Sequence, residues 1–151
     1  MANSIIPKSL ASEVNAMTKC GYMKWADVSV ASASWRTNVG NESSGYTPNG
    51  QVIDGAYNML LDIAGTYYVH LHACFENSNA NGARGIRLYK TEVAQGVEYF
   101  VAPVSLRTIS DVGVIVDSDG RDSIRMGLFQ SSGETITVKE LSATAILLHR
   151  N

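Results

Sequence analysis

The sequence predicts an all-β fold, an antiparallel jelly-roll β-sandwich, on three observations. Residues 66–75 alternate between two faces: Tyr67, Val69, Leu71, Ala73 and Phe75 on one, Thr66, Tyr68, His70, His72 and Cys74 on the other. Side chains alternate with period two along a strand, so this segment sends a fully apolar row into a core. Seven to ten short strand-like segments then follow one another, most of them separated by Gly, Asn, Asp or Ser turn signals. No long amphipathic helical pattern interrupts them, which favours a sandwich over a mixed fold.

An N-terminal segment, residues 1–21, stands apart from a jelly-roll domain over residues 22–151. Pro7 breaks any early helix, while Leu10, Val14 and Met17 recur at helical spacing behind Ser9, a candidate cap. The segment reads as an arm or a short helix. Helices under about a dozen residues are marginal alone, so its apolar residues Ile5, Ile6, Leu10, Val14 and Met17 are expected to anchor on another surface.

Strand signals begin after Tyr22. Met23, Trp25 and the stretch 26–33 suggest an opening strand, followed by a loop over 38–50 rich in Asn, Ser and Gly. A short apolar run covers 57–61, and the strong strand over 66–75 comes next. Asn81-Gly82 favours a hairpin into a strand carrying Ile86, Leu88 and Lys90. Further strands are expected over 97–104, 112–116, 123–130, 134–139 and 142–149, with turns at Gly96, Asp117-Ser-Asp-Gly120 and Gln130-Ser-Ser-Gly133.

At 151 residues the chain is the size of one domain, which buries roughly 68–70% of its unfolded surface without staples. Twelve basic and 14 acidic residues, net charge -2, give no electrostatic reason to expect nucleic acid or an anionic membrane. No stretch approaches the roughly 18 apolar residues of a membrane helix, so no membrane insertion is expected. Charged residues make up 17%, and small polar residues take the place of the rest, a composition common on extracellular and virion proteins. The N-terminus lacks a secretory signal; synthesis in a cytoplasm and release by lysis within a particle is the expectation. Cys20 and Cys74 are expected as free, buried thiols, with a disulfide as the alternative.

Three motifs resemble a known superfamily. Gly65-Thr-Tyr67-Tyr-Val69-His-Leu71 resembles a Gly-x-Tyr-x-aromatic strand; Gly82-Ala-Arg-Gly-Ile-Arg-Leu88 is similar to the strand that follows it across a hairpin. The segment from Leu128 to Val138 is similar to a late hairpin before a closing strand, here 143–149. Together they resemble the jelly rolls of tumour necrosis factor and the complement globular head, over roughly residues 50–150. Eukaryotic heads favour phenylalanine where this chain has Met59 and Val69, and an aromatic at Leu71, so the variant found in bacteriophage appendages fits better. The resemblance implies a homotrimer, and the semi-apolar row of Tyr68, His70 and His72 is its expected central contact.

Candidate chemistry is sparse. His70 and His72 sit at a spacing that can direct two nitrogens at one zinc, with Cys74 beyond; packed interface residues are the expected reading, and no metal or other cofactor is assigned. Asp117-Ser-Asp119-Gly-Arg-Asp122 begins like a calcium loop but has Asp122 where Gly is needed and Leu128 where a bidentate Glu is needed, so a solvated turn is expected. No nucleophile elbow or phosphate loop is present, and no enzymatic activity is expected. Among aromatics, Trp25 and Tyr57 are assigned to packing, whereas Trp35 and Tyr46 are candidates for a carbohydrate-binding surface.

The functional expectation is a non-enzymatic bacteriophage structural protein: a trimeric capsid decoration, cement or head-appendage protein at the virion surface, held by its N-terminal arm. The alternative is a receptor- or carbohydrate-binding head of a tail fibre. About 21 residues reach ~70 Å if extended, enough to lace over neighbours on a shell but too few for a tail shaft.

Overall fold

The computed structural model describes residues 20–37, 44–46, 53–54, 58–76, 81–103 and 107–151. Residues 1–19, the loop tip with Pro48 and Asn49-Gly50, and Tyr57 lie outside them, so the anchoring set Ile5, Ile6, Leu10, Val14 and Met17 does too. The described residues form twelve strands and no helix: β1 (Cys20–Lys24), β2 (Val28–Val30), β3 (Ser34–Arg36), β4 (Ser44–Tyr46), β5 (Ile53–Asp54), β6 (Asn58–Leu61), β7 (Ala64–Glu76), β8 (Arg84–Lys90), β9 (Val93–Val101), β10 (Arg107–Asp119), β11 (Asp122–Gln130) and β12 (Ile136–Arg150).

Two antiparallel six-stranded sheets face each other. The first runs β10-β7-β12-β1-β4 with β2 also on β12; the second runs β5-β6-β11-β8-β9 with β3 also on β11. The core lies between them. Tyr67, Val69, Leu71, Ala73 and Phe75 are fully buried, as their alternation dictates, and Met23, Trp25, Met59, Leu88 and Leu128 pack into the same cluster. At roughly 25 cal/mol per Å² of apolar surface removed from water, this interior is the main source of stability.

Several connections differ from the sequence expectation. The Asn81-Gly82 turn does not make a hairpin: β7 pairs with β10 and β12, whereas β8 pairs with β11 and β9, so the chain crosses between sheets there. Gly82 does adopt the positive φ, 73°, that its turn signal indicates. The segment from Leu128 to Val138 likewise crosses from β11 in the second sheet to β12 in the first. Gly96 is not a turn; it lies inside β9 at a register shift, where Arg87 faces Glu98 but Leu88 faces Gln95. The hairpin turn is Thr91-Glu92, both left-handed at φ 44° and 70°, the conformation of a two-residue I′ turn.

The two closing strands expected from the sequence are one. Before a bulge between Lys139 and Ser142, Ile136 and Val138 face the core; after it, Leu141, Ala143, Ala145 and Leu147 do. Two residues of β12, Glu140 and Leu141, stand opposite the single Ala73, and this one extra residue switches the inward parity from even to odd. Glu140, at φ 55°, supplies the left-handed step. A period-two reading breaks at such a point, and that break splits one strand into two.

Candidate functional site

The outward face of the first sheet collects side chains that a wet surface would not select. Of the eight large hydrophobic side chains exposed among the described residues, five lie on it: Tyr22, Ile109, Ile115, Ile146 and Leu148. Pairing explains why they cluster. Ile115 of β10 faces Tyr68 of β7, which faces Ile146 of β12, so three strands contribute one apolar row. Ile115 is 58% exposed. Tyr68 lies across Gly113, where a Cβ would collide with its ring, so the phenol is spread along the sheet instead of standing off it.

One strand spacing further along, the face becomes polar. His72 Nδ1 lies 2.8 Å and His70 Nε2 3.3 Å from the same oxygen, Asp111 Oδ1. Asp111 is directly opposite His72 in the ladder, which places a carboxylate between two imidazoles two residues apart. His70 is 40% and His72 26% exposed in side chain, and Asp111 47%. The structure therefore brings Tyr68, His70 and His72 together on one face, as the alternation predicts. Cys74 is the next residue of that row, and its free thiol is fully buried beside the Arg107 side chain, which hydrogen-bonds it.

Ion pairs close the far end. Arg107 donates to Glu140 at 2.6 Å, and Lys139 Nζ is 3.0 Å from Glu76. Arg107's pKa is raised, first by the hydrogen bond to Glu140 and then by the nearby Cys74, while that same bond lowers the pKa of Glu140. Lys139's is raised by Glu76. Exposed pairs of this kind contribute little to stability.

Aspartates of the 117–122 turn bind the protein itself. Asp119 Oδ1 accepts the Arg121 amide at 2.9 Å; Asp122 accepts the Thr91 hydroxyl at 2.7 Å and the Asp119 amide at 3.3 Å; Asp117 accepts the Thr66 hydroxyl at 2.6 Å. Among the described residues no group of three or more His, Cys, Asp or Glu is arranged to hold a metal.

The second sheet's outward face is aromatic. Trp35 of β3, Phe129 of β11 and Phe100 of β9 are in mutual contact, with centroids 5.3–5.9 Å apart. The Arg87 guanidinium lies 3.9 Å over the Trp35 ring and also caps Tyr89. Phe100 rests over Gly85, where a Cβ would strike it, and Tyr89 over Gly127. Tyr46, the other candidate for sugar binding, is on β4 of the first sheet, opposite Tyr22, and its side chain lies outside the described residues. Trp35 and Tyr46 therefore belong to different sheets. Trp35 instead gains Phe100, Phe129 and Arg87, partners that no local pattern marks, because β3 reaches β8, β9 and β11 only across long sequence separations. Trp25 is core, at 2% exposure.

No protein-family model matches the chain, and no curated protein is recognisably related in sequence. Solved structures are similar in shape. The globular domain of zebrafish complement 1qA protein aligns with a TM-score of 0.61 at 14% identity, covering 89% of this chain and 100% of that one. The Eiger TNF of S. frugiperda aligns with a TM-score of 0.64 at 9% identity, covering 88% and 94%. The chain is thus a jelly-roll sandwich of the shape shared by the complement head and tumour necrosis factor. At such identities the likeness establishes the fold and nothing finer about function.

Proposed function

We propose that this chain is a non-enzymatic structural protein that forms a homotrimer through the outward face of its first sheet and joins a bacteriophage particle, as a capsid decoration or head-appendage protein, through residues 1–21. The carrying observation is the row of Ile115, Tyr68 and Ile146, extended by Leu148: apolar side chains contiguous across three strands and open to solvent in the single chain. Burial against a second and third copy removes that surface from water. The particle assignment is supported by the sequence: small polar composition, the appendage-like motifs, and the apolar set Ile5, Ile6, Leu10, Val14 and Met17, too few to form a core.

Attachment is tested by deleting residues 1–19, which spares β1. The truncated protein should keep its assembly state and melting temperature and fail to join particles. Loading at the normal copy number would place attachment on the jelly roll itself.

The aromatic face of the second sheet favours a second reading, a carbohydrate-binding head. Phe100 presents a ring 46% exposed beside Trp35, which Arg87 covers, the chemistry that stacks on the apolar face of a sugar. Glycan-array binding lost in Phe100→Ala would support it; no glycan bound by the wild-type protein would remove it.

A further inference from the structure

We propose that the His70–Asp111–His72 cluster makes the assembly acid-labile, so that the trimer holds at neutral pH and separates as both imidazoles take up protons. The proposal rests on the reading that this face is the trimer contact. Its geometric basis is the single carboxylate oxygen within 3.3 Å of both ring nitrogens, on the face that also carries the apolar row. One carboxylate can neutralise one imidazolium; two exceed it.

The surrounding charges give the sign. From β10 the rings are faced by Asp111, with Gly113 opposite His70; from β12 by Ser142 and Thr144, which carry no charge. Beyond β12, Lys24 and Tyr22 of β1 pair with Ser142 and Thr144. Glu140 senses His72 but is committed to Arg107, and Lys139 is committed to Glu76. Tyr68 shares the strand, Asp117 is bound by Thr66, and His149 lies beyond them opposite Thr66. With both rings neutral, Asp111 and Lys24 balance. With both protonated, two positive charges per chain are uncompensated, and packing three identical faces together adds them where water is scarce and repulsion strongest.

Imidazole is the side chain whose charge ordinarily changes between about pH 5 and 8. Each proton that must be released on association weakens assembly by about tenfold per pH unit over the range where the free chain holds it.

Sedimentation velocity of the full chain from about pH 8 to about pH 5, with circular dichroism at each pH to show that the subunits stay folded, tests this. The expected result is a trimer at the upper end that becomes folded monomer at the lower end. A His70→Gln/His72→Gln variant, whose amides can still donate to Asp111, should stay trimeric throughout, and His72→Gln alone should show a shallower pH slope. A wild-type trimer unchanged to the acid end, or variants that dissociate as steeply as wild type, overturns the switch and leaves the trimer standing. A wild-type monomer at the alkaline end overturns both.

Discussion

Leu71 and Phe75 illustrate how far a single residue can be argued from its neighbours in sequence. Both are fully buried, and truncating a core leucine or phenylalanine costs about 2–5 kcal/mol because the cavity collapses only partly. Leu71→Ala should therefore lower the urea midpoint markedly, whereas Thr137→Ala, half-buried on the opposite face of β12, should leave it nearly in place. Ala33 carries a strain that is visible only in the backbone. Its φ is 63°, a left-handed conformation that costs a residue with a Cβ roughly 1–2 kcal/mol. Ala33→Gly should raise the thermal midpoint; a lower midpoint would show that the extra freedom of glycine in the unfolded chain outweighs the relief. The apolar row of β7 was legible because alternation is local. Gln130 was not: fully buried, it donates to the carbonyls of Val30 and Glu134 and accepts from Ser132. Its fit depends on Val30, a hundred residues away, so nothing near it in sequence marks it as interior.

At the scale of elements, turn chemistry told where the chain turns but not which sheet receives it. Gly82 has the expected left-handed conformation, yet it opens a crossover, because β7 is already paired on both edges by β10 and β12. Thr91-Glu92 was missed for the converse reason: neither residue favours positive φ, and tertiary bonds hold them there. Thr91 donates to Asp122 and its amide to the Ser123 carbonyl, and Glu92 pairs with Arg125. Burial opposes the charge on Asp122, but hydrogen bonds from Thr91, Ser118 and the Asp119 amide, with Lys90 nearby, outweigh it and hold its pKa below the ordinary aspartate value. A depressed carboxylate contributes stability that is present above the unfolded pKa, about 3.9, and is lost as pH falls through the lower folded one. Asp122→Asn should thus be less stable than wild type at neutral pH, and the difference should shrink below about pH 4. A difference constant from neutral to acid pH would mean that the carboxylate's charge is not what holds this hairpin to the 117–122 turn.

At the scale of the molecule, the sandwich follows from the number and punctuation of its strands, and its apolar outward face from the semi-apolar row of β7. Alternation could place Tyr68, His70 and His72 together, but not beside Ile115, Ile146 and Asp111, which arrive through the β10-β7-β12 ladder. The central claim is that this face is where copies meet. It is tested most directly by sedimentation equilibrium of the wild-type chain and of Ile115→Asp, which sets a charge in the middle of the apolar row without touching the core. Wild type should sediment at three times the 16.3 kDa chain mass, and Ile115→Asp as a folded monomer. A wild-type mass of one chain, unchanged with concentration, or a variant that remains trimeric, would contradict the account.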